Sequence, residues 1–163
     1  MNAAEQASSI EFASKIAAVV RLMKAGVPDL RADLKPWTND PQTRGLIDPD
    51  SIDIGFHFPG VSRSFKCRSL LVQIRFCDLS AFDDTDAGQD RPDGDAETTA
   101  AADVSRYRVI GVEVAGFDHR GQRWQLSTID DWHCEGEEVP MAKQAHQLKQ
   151  CCREIFEVFR AAH

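Results

Sequence analysis

Four stretches of the chain alternate apolar and polar residues one by one, and a period of two dictates strands with one buried face. Ile52, Ile54, Phe56 and Phe58 alternate with Asp53, Gly55 and His57. In the second stretch Leu70, Val72, Ile74 and Phe76 oppose Leu71, Gln73 and Arg75; in the third Ile110, Val112 and Val114 point inward, with Val109, Gly111, Glu113 and Ala115 outward. Trp124, Leu126 and Thr128 start a fourth, and Trp132 to Glu135 fits a short fifth. Pro59-Gly60 ends the first strand and prepares a hairpin with the second. Asp118-His119-Arg120-Gly121 is turn sequence joining the third to the fourth, with Gly121 suited to a left-handed position.

Both ends of the chain carry the other period. Ser8 followed by Glu11 fits a capping box, and Ile10, Phe12, Ile16, Val19, Val20 and Met23 recur at helical spacing until Gly26 and Pro28 stop the pattern, which predicts a helix over 9–25. Pro140 suits a first helical turn, and Met141, Ala145, Leu148, Cys152, Ile155, Phe159 and Ala162 step by four and three to the last residues. That seam fits packing on the sheet; its regular spacing also fits a homodimer contact. Between the first helix and the first strand, Pro36, Asp40-Pro41 and Asp48-Pro49 bias the backbone towards extended forms, so 29–51 reads as a structured connection. The pattern predicts an α+β fold: an antiparallel four- to five-stranded sheet with the N- and C-terminal helices packed on one face. At 163 residues this is one domain with one core.

Charge is concentrated in one place. Residues 78–103 hold nine acids against Arg91, more than the whole formal charge of −7. Within them 83–102 has turn formers, one charge sign and no large apolar residue, and is expected to form a mobile loop. Nucleic-acid binding needs clustered Lys and Arg to release phosphate counterions, and no basic run offers that footprint. No apolar stretch reaches the roughly 18 residues of a membrane span, and the opening residues lack a secretory pattern. The five cysteines form an odd set without C-x-x-C spacing, so reduced thiols and a cytoplasmic location are expected. Cys152 falls on the apolar seam and Cys151 at its boundary.

Catalytic and metal motifs are missing from the pattern. A calcium loop started at Asp83 fails at Thr85, Ala87 and Gly94. His133 and Cys134 are adjacent and would point to opposite sides of a strand, so no metal and no cofactor is expected. There is no G-x-S-x-G, P-loop or H-E-x-x-H sequence. What stands out is the outer sheet face as a whole. Asp53, His57, Gln73, Arg75, Glu113 and Gln125, with Leu71 and Ser127, mix polar with apolar groups, and Gly55 and Gly111 leave room there for another backbone or a ligand. Glu113 is expected to meet Arg75 across the sheet as a surface pair of small weight.

The segments WTNDPQTRGLIDPDSIDIGFHFPG with CRSLLVQIRF, and GFDHRGQRWQLSTIDDW, resemble uncharacterised proteins of cyanobacterial type, a resemblance that brings no catalytic residues. In element order alone the chain is similar to the type III secretion chaperone fold, which implies a dimer surface and apolar grooves. The functional expectation is a non-enzymatic protein-binding or assembly module, chaperone-like, using the outer face or a sheet edge. Its alternative is a small soluble enzyme with a pocket around His57, Arg75 and Glu113, where an imidazole acts as acid or base near neutral pH.

Overall fold

The computed structural model describes residues 1–37, 41, 45, 47–48, 50–79, 106–129 and 132–160. The acidic stretch 83–102, expected to be a mobile loop, lies outside them.

Six strands run in sequence order across one sheet, each antiparallel to its neighbours: β1 (Arg31–Asp33), β2 (Ser51–Ser62), β3 (Cys67–Asp78), β4 (Tyr107–Asp118), β5 (Gly121–Ser127) and β6 (Cys134–Gly136). The expected four or five become six because β1, a bare Arg-Ala-Asp, is too short to show alternation. Among the described residues three helices accompany the sheet: α1 (Ala3–Gln6), α2 (Ile10–Gly26) and α3 (Ala142–Arg160).

The period-two pattern translates directly into register. Ile52 pairs with Ile74, Ile54 with Val72 and Phe56 with Leu70, while Val72 faces Val114 and Val114 faces Leu126. All of these are buried, and they share one core with Phe12, Ile16, Val19 and Met23 of α2 and with Leu148, Cys152 and Ile155 of α3. The two long helices therefore cover the Ile/Val/Phe side of the sheet. Each fully buried aliphatic side chain contributes about 1.5–3 kcal/mol, which makes this face the main source of stability. Lys15 of α2 reaches across to α3, its ammonium donating to the Val158 carbonyl at 2.8 Å near the helix C-terminus, where positive charge is favoured.

Several boundaries differ from the sequence expectation for local reasons. The N-cap of α2 is Ser9, not Ser8: its Oγ accepts from the Phe12 amide at 3.2 Å. Strand β2 does not stop at Pro59-Gly60 but continues to Ser62, with a register irregularity between His57 and Ser62, and Lys66 takes the left-handed turn position at φ 57°. Ile110, expected inside, is 56% exposed. Arg75 pairs with Gly111 but Phe76 with Val109, so Ile110 is the extra residue of a bulge and Val109 turns onto the core in its place. Strand β5 ends at Ser127, leaving Thr128 in the following turn. Helix α3 starts one residue after Met141, which is exposed rather than on the seam, and Cys151, placed at the boundary by its spacing, is buried beside Cys152.

Candidate functional site

The face of the sheet away from the helices is organised in rows that cross the strands, and the register gives each row its members. One row runs Gly55, Leu71, Ala115 and Gln125; the next runs Asp53, Gln73, Glu113 and Ser127. A third joins His57 to Ser69 and Ser69 to Phe117, and Asp33 of β1 stands beside it, two residues from the Arg31–His57 pair.

The six residues singled out in the sequence all lie on this face, but they separate into independent groups. Asp53 is fully buried. Its Oδ2 accepts from the Met1 ammonium at 3.0 Å and the Trp37 indole at 2.5 Å, and its Oδ1 accepts from the Ser51 hydroxyl at 2.8 Å and the Gln73 amide at 3.4 Å. A buried carboxylate needs such partners, so Asp53 holds Met1 and Trp37 to the sheet rather than presenting itself to solvent, with half-buried Gln73 donating to it. Arg75 meets Glu113 as expected: its Nε and Nη2 donate to Glu113 Oε2 at 3.2 and 3.1 Å, and Nη1 donates to Asp48 Oδ2 at 2.6 Å. Burial alone would lower the Arg75 pKa, but Glu113, Asp48 and Asp53 outweigh it and raise it. Gln125 accepts from the Gln122 amide at 3.1 Å and borders a separate polar hollow with Ser127, His133 and Glu135.

His57 has different company. Its Nδ1 lies 2.9 Å from Ser69 Oγ and its Nε2 lies 3.1 Å from Asp33 Oδ2. An ionised carboxylate only accepts, so the chemistry places the ring proton of the neutral imidazole on Nε2 and leaves Nδ1 to accept from the Ser69 hydroxyl. Asp33 is ionised in this arrangement. Burial would raise its pKa, but the Lys35 amide on Oδ1 at 2.9 Å, the His57 hydrogen bond and the charge of Arg31 hold it below the ordinary carboxylate value. The three side chains form one pole of a cavity of about 200 Å³ whose walls are Pro36, Trp37, Leu71 and Phe117. Gly55 is its floor for a steric reason: a Cβ there would lie 3.3 Å from Pro36 Cβ and 3.4 Å from Asp33 Cβ, so the bare backbone lets the 33–36 segment cross closely.

Thus His57 is not grouped with Arg75 and Glu113. Its row lies four residues along β4 from Glu113, roughly 13 Å at strand rise. Its true neighbours, Asp33 and Ser69, were missed in the sequence. Ser69 had a signal, because it is the residue opposite His57 once the β2–β3 register is fixed; Asp33 had none, because β1 has no pattern. Over Gly111 lie the Ile129 and Thr128 side chains, rather than the second backbone or ligand expected there. Among the described residues no three His, Cys, Asp or Glu side chains converge as a metal site.

These features define an α+β protein with a six-stranded antiparallel meander, two helices on one side and an open, pocketed face on the other. The chain belongs to a family described as a domain of unknown function, whose model matches residues 4–161. No curated protein and no solved structure matches it.

Proposed function

We propose that this chain is a protein-binding module of assembly or chaperone-like type, and that its docking surface is the open sheet face around the His57 cavity. The observation that carries this reading is the unequal treatment of the two faces: α2 and α3 occupy one, while Leu71, Phe117, Pro36 and Trp37 stand half-buried on the other beside hydrogen-bonded polar groups. An apolar centre within a polar rim is the usual anatomy of an interface. The face is favoured over an edge because β1 and β6 are three residues each and offer little backbone to a further strand. An acidic chain is a poor partner for phosphate backbones, and among the described residues no helix is long and apolar enough to cross a membrane.

The test is purification of the tagged chain and its Leu71→Glu variant from the native source, followed by mass spectrometry. A stoichiometric protein held by the wild type and lost from the variant, at an unchanged thermal midpoint, is the expected result. A partner retained equally by both overturns it.

A second reading makes the same cavity the active site of a small enzyme. What favours it is the Asp33–His57–Ser69 hydrogen-bond chain, which replaces the expected grouping of His57 with Arg75 and Glu113. A small metabolite recovered in place of a protein supports this reading over the first.

A further inference from the structure

The geometry points to Ser69 as the nucleophile of an acyl-transfer reaction on carboxylic esters with a short apolar acyl group. This inference rests on the enzymatic reading of the His57 cavity and gives it a reaction class. Three adjacent strands each supply one member of the relay: Asp33 from β1, His57 from β2 and Ser69 from β3. A nucleophile within hydrogen-bond reach of a base, itself oriented by a third group, is the arrangement such chemistry requires, and it is recognised by geometry rather than by order in the chain. Here both contacts are present at once, 2.9 Å between Ser69 Oγ and His57 Nδ1 and 3.1 Å between His57 Nε2 and Asp33 Oδ2. The imidazole is turned relative to the commoner arrangement, with Nδ1 towards the serine, and Nδ1 serves equally as the accepting nitrogen of a neutral ring.

The cavity sets the substrate class. Leu71, Phe117, Pro36 and Trp37 wall a space of about 200 Å³ that Ser69 and His57 also line. It admits a short apolar chain and has no unpaired charge to hold a charged one, since Asp33 is engaged by His57 and the Lys35 amide.

In the first half-reaction Ser69 Oγ forms a bond to the ester carbonyl carbon as its proton moves to His57 Nδ1. The bond from that carbon to the alcohol oxygen then breaks, and the departing alcohol takes the proton from Nδ1. In the second, water adds to the acyl carbon, gives its proton to Nδ1 and releases the carboxylic acid as the Oγ–carbon bond breaks and Oγ recovers the proton. Asp33 is a positioning residue that fixes the ring and stabilises the imidazolium; Arg31 is the other charged group acting on that carboxylate from β1.

Two measurements on the intact chain test this. An alkyl fluorophosphonate, from which Ser69 Oγ displaces fluoride, is expected to give one adduct mapping to Ser69, absent from Ser69→Ala and at least tenfold slower in His57→Ala. Hydrolysis of 4-nitrophenyl butyrate is expected to fall about 10²-fold in Ser69→Ala and in His57→Ala. In Asp33→Asn it is expected to fall, with the acid limb of its rate–pH profile moved to lower pH. Ester hydrolysis that depends on His57 but survives in Ser69→Ala overturns the nucleophile while leaving the cavity an active site. Neither adduct nor turnover above buffer overturns both, and so does labelling spread evenly over other serines.

Discussion

Asp33 shows how one side chain ties a three-residue edge strand to the sheet. Its carboxyl is held below the ordinary value despite the opposing effect of burial, because the Lys35 amide, His57 and Arg31 all favour the anion. A carboxyl with a depressed folded pKa contributes stability above the unfolded value, near pH 4, and loses it as pH falls through the folded value. The wild type should therefore exceed Asp33→Asn in thermal midpoint at neutral pH, with the gap closing on acidification below about pH 4. A gap that is constant from pH 7 to pH 3 contradicts the assignment. At this scale alternation placed His57, Gln73, Arg75 and Glu113 on the correct face, since a period of two is a statement about faces. It could not show that Asp53 is covered, because the groups covering it, Met1 and Trp37, come from 52 and 16 residues away.

At the scale of elements, the β4–β5 hairpin is fixed by one large ring. Trp124 is buried, donates its indole N–H to the Phe65 carbonyl at 2.7 Å and lies where a Cβ on Gly116 would have to be. Gly116→Ala is expected to cost about 1–3 kcal/mol in urea unfolding through overpacking. Gly60→Ala, with nothing within 4 Å of the added carbon, should stay within about 0.5 kcal/mol of wild type. Equal effects from the two contradict this account. The long strands and helices were legible because each repeats its period many times; β1 has three residues and α1 four, too few to repeat anything. The bulge at Ile110 was illegible for a related reason. Val109, Ile110 and Val112 are all apolar, so either face satisfies the pattern, and only the pairing with Arg75 and Phe76 decides.

At the scale of the whole molecule, the sheet gives one side to the core beneath α2 and α3 and keeps the pocketed side, where docking is proposed, free of them. The covered side also disfavours the thiolate at two cysteines: Cys67 is pushed up to about 12 by burial and then by Asp118, and Cys152 to about 12 by burial and then by Cys151 and Cys134. That division was legible in the sequence, because two amphipathic helices and a set of one-sided strands have only one economical way to meet. The cavity was not, since it needs the 33–37 segment to cross over Gly55, a long-range contact that no local spacing encodes.

The division is tested most directly by hydroxyl-radical footprinting of the chain alone and with the protein that co-purifies with it. Oxidation of Leu71, Phe117 and Trp37 is predicted to fall in the complex while that of Ile10, the first residue of α2, and Met141, the residue before α3, both exposed, is unchanged. Protection of Ile10 and Met141 with Leu71, Phe117 and Trp37 still open contradicts the assignment of the sheet face as the working surface.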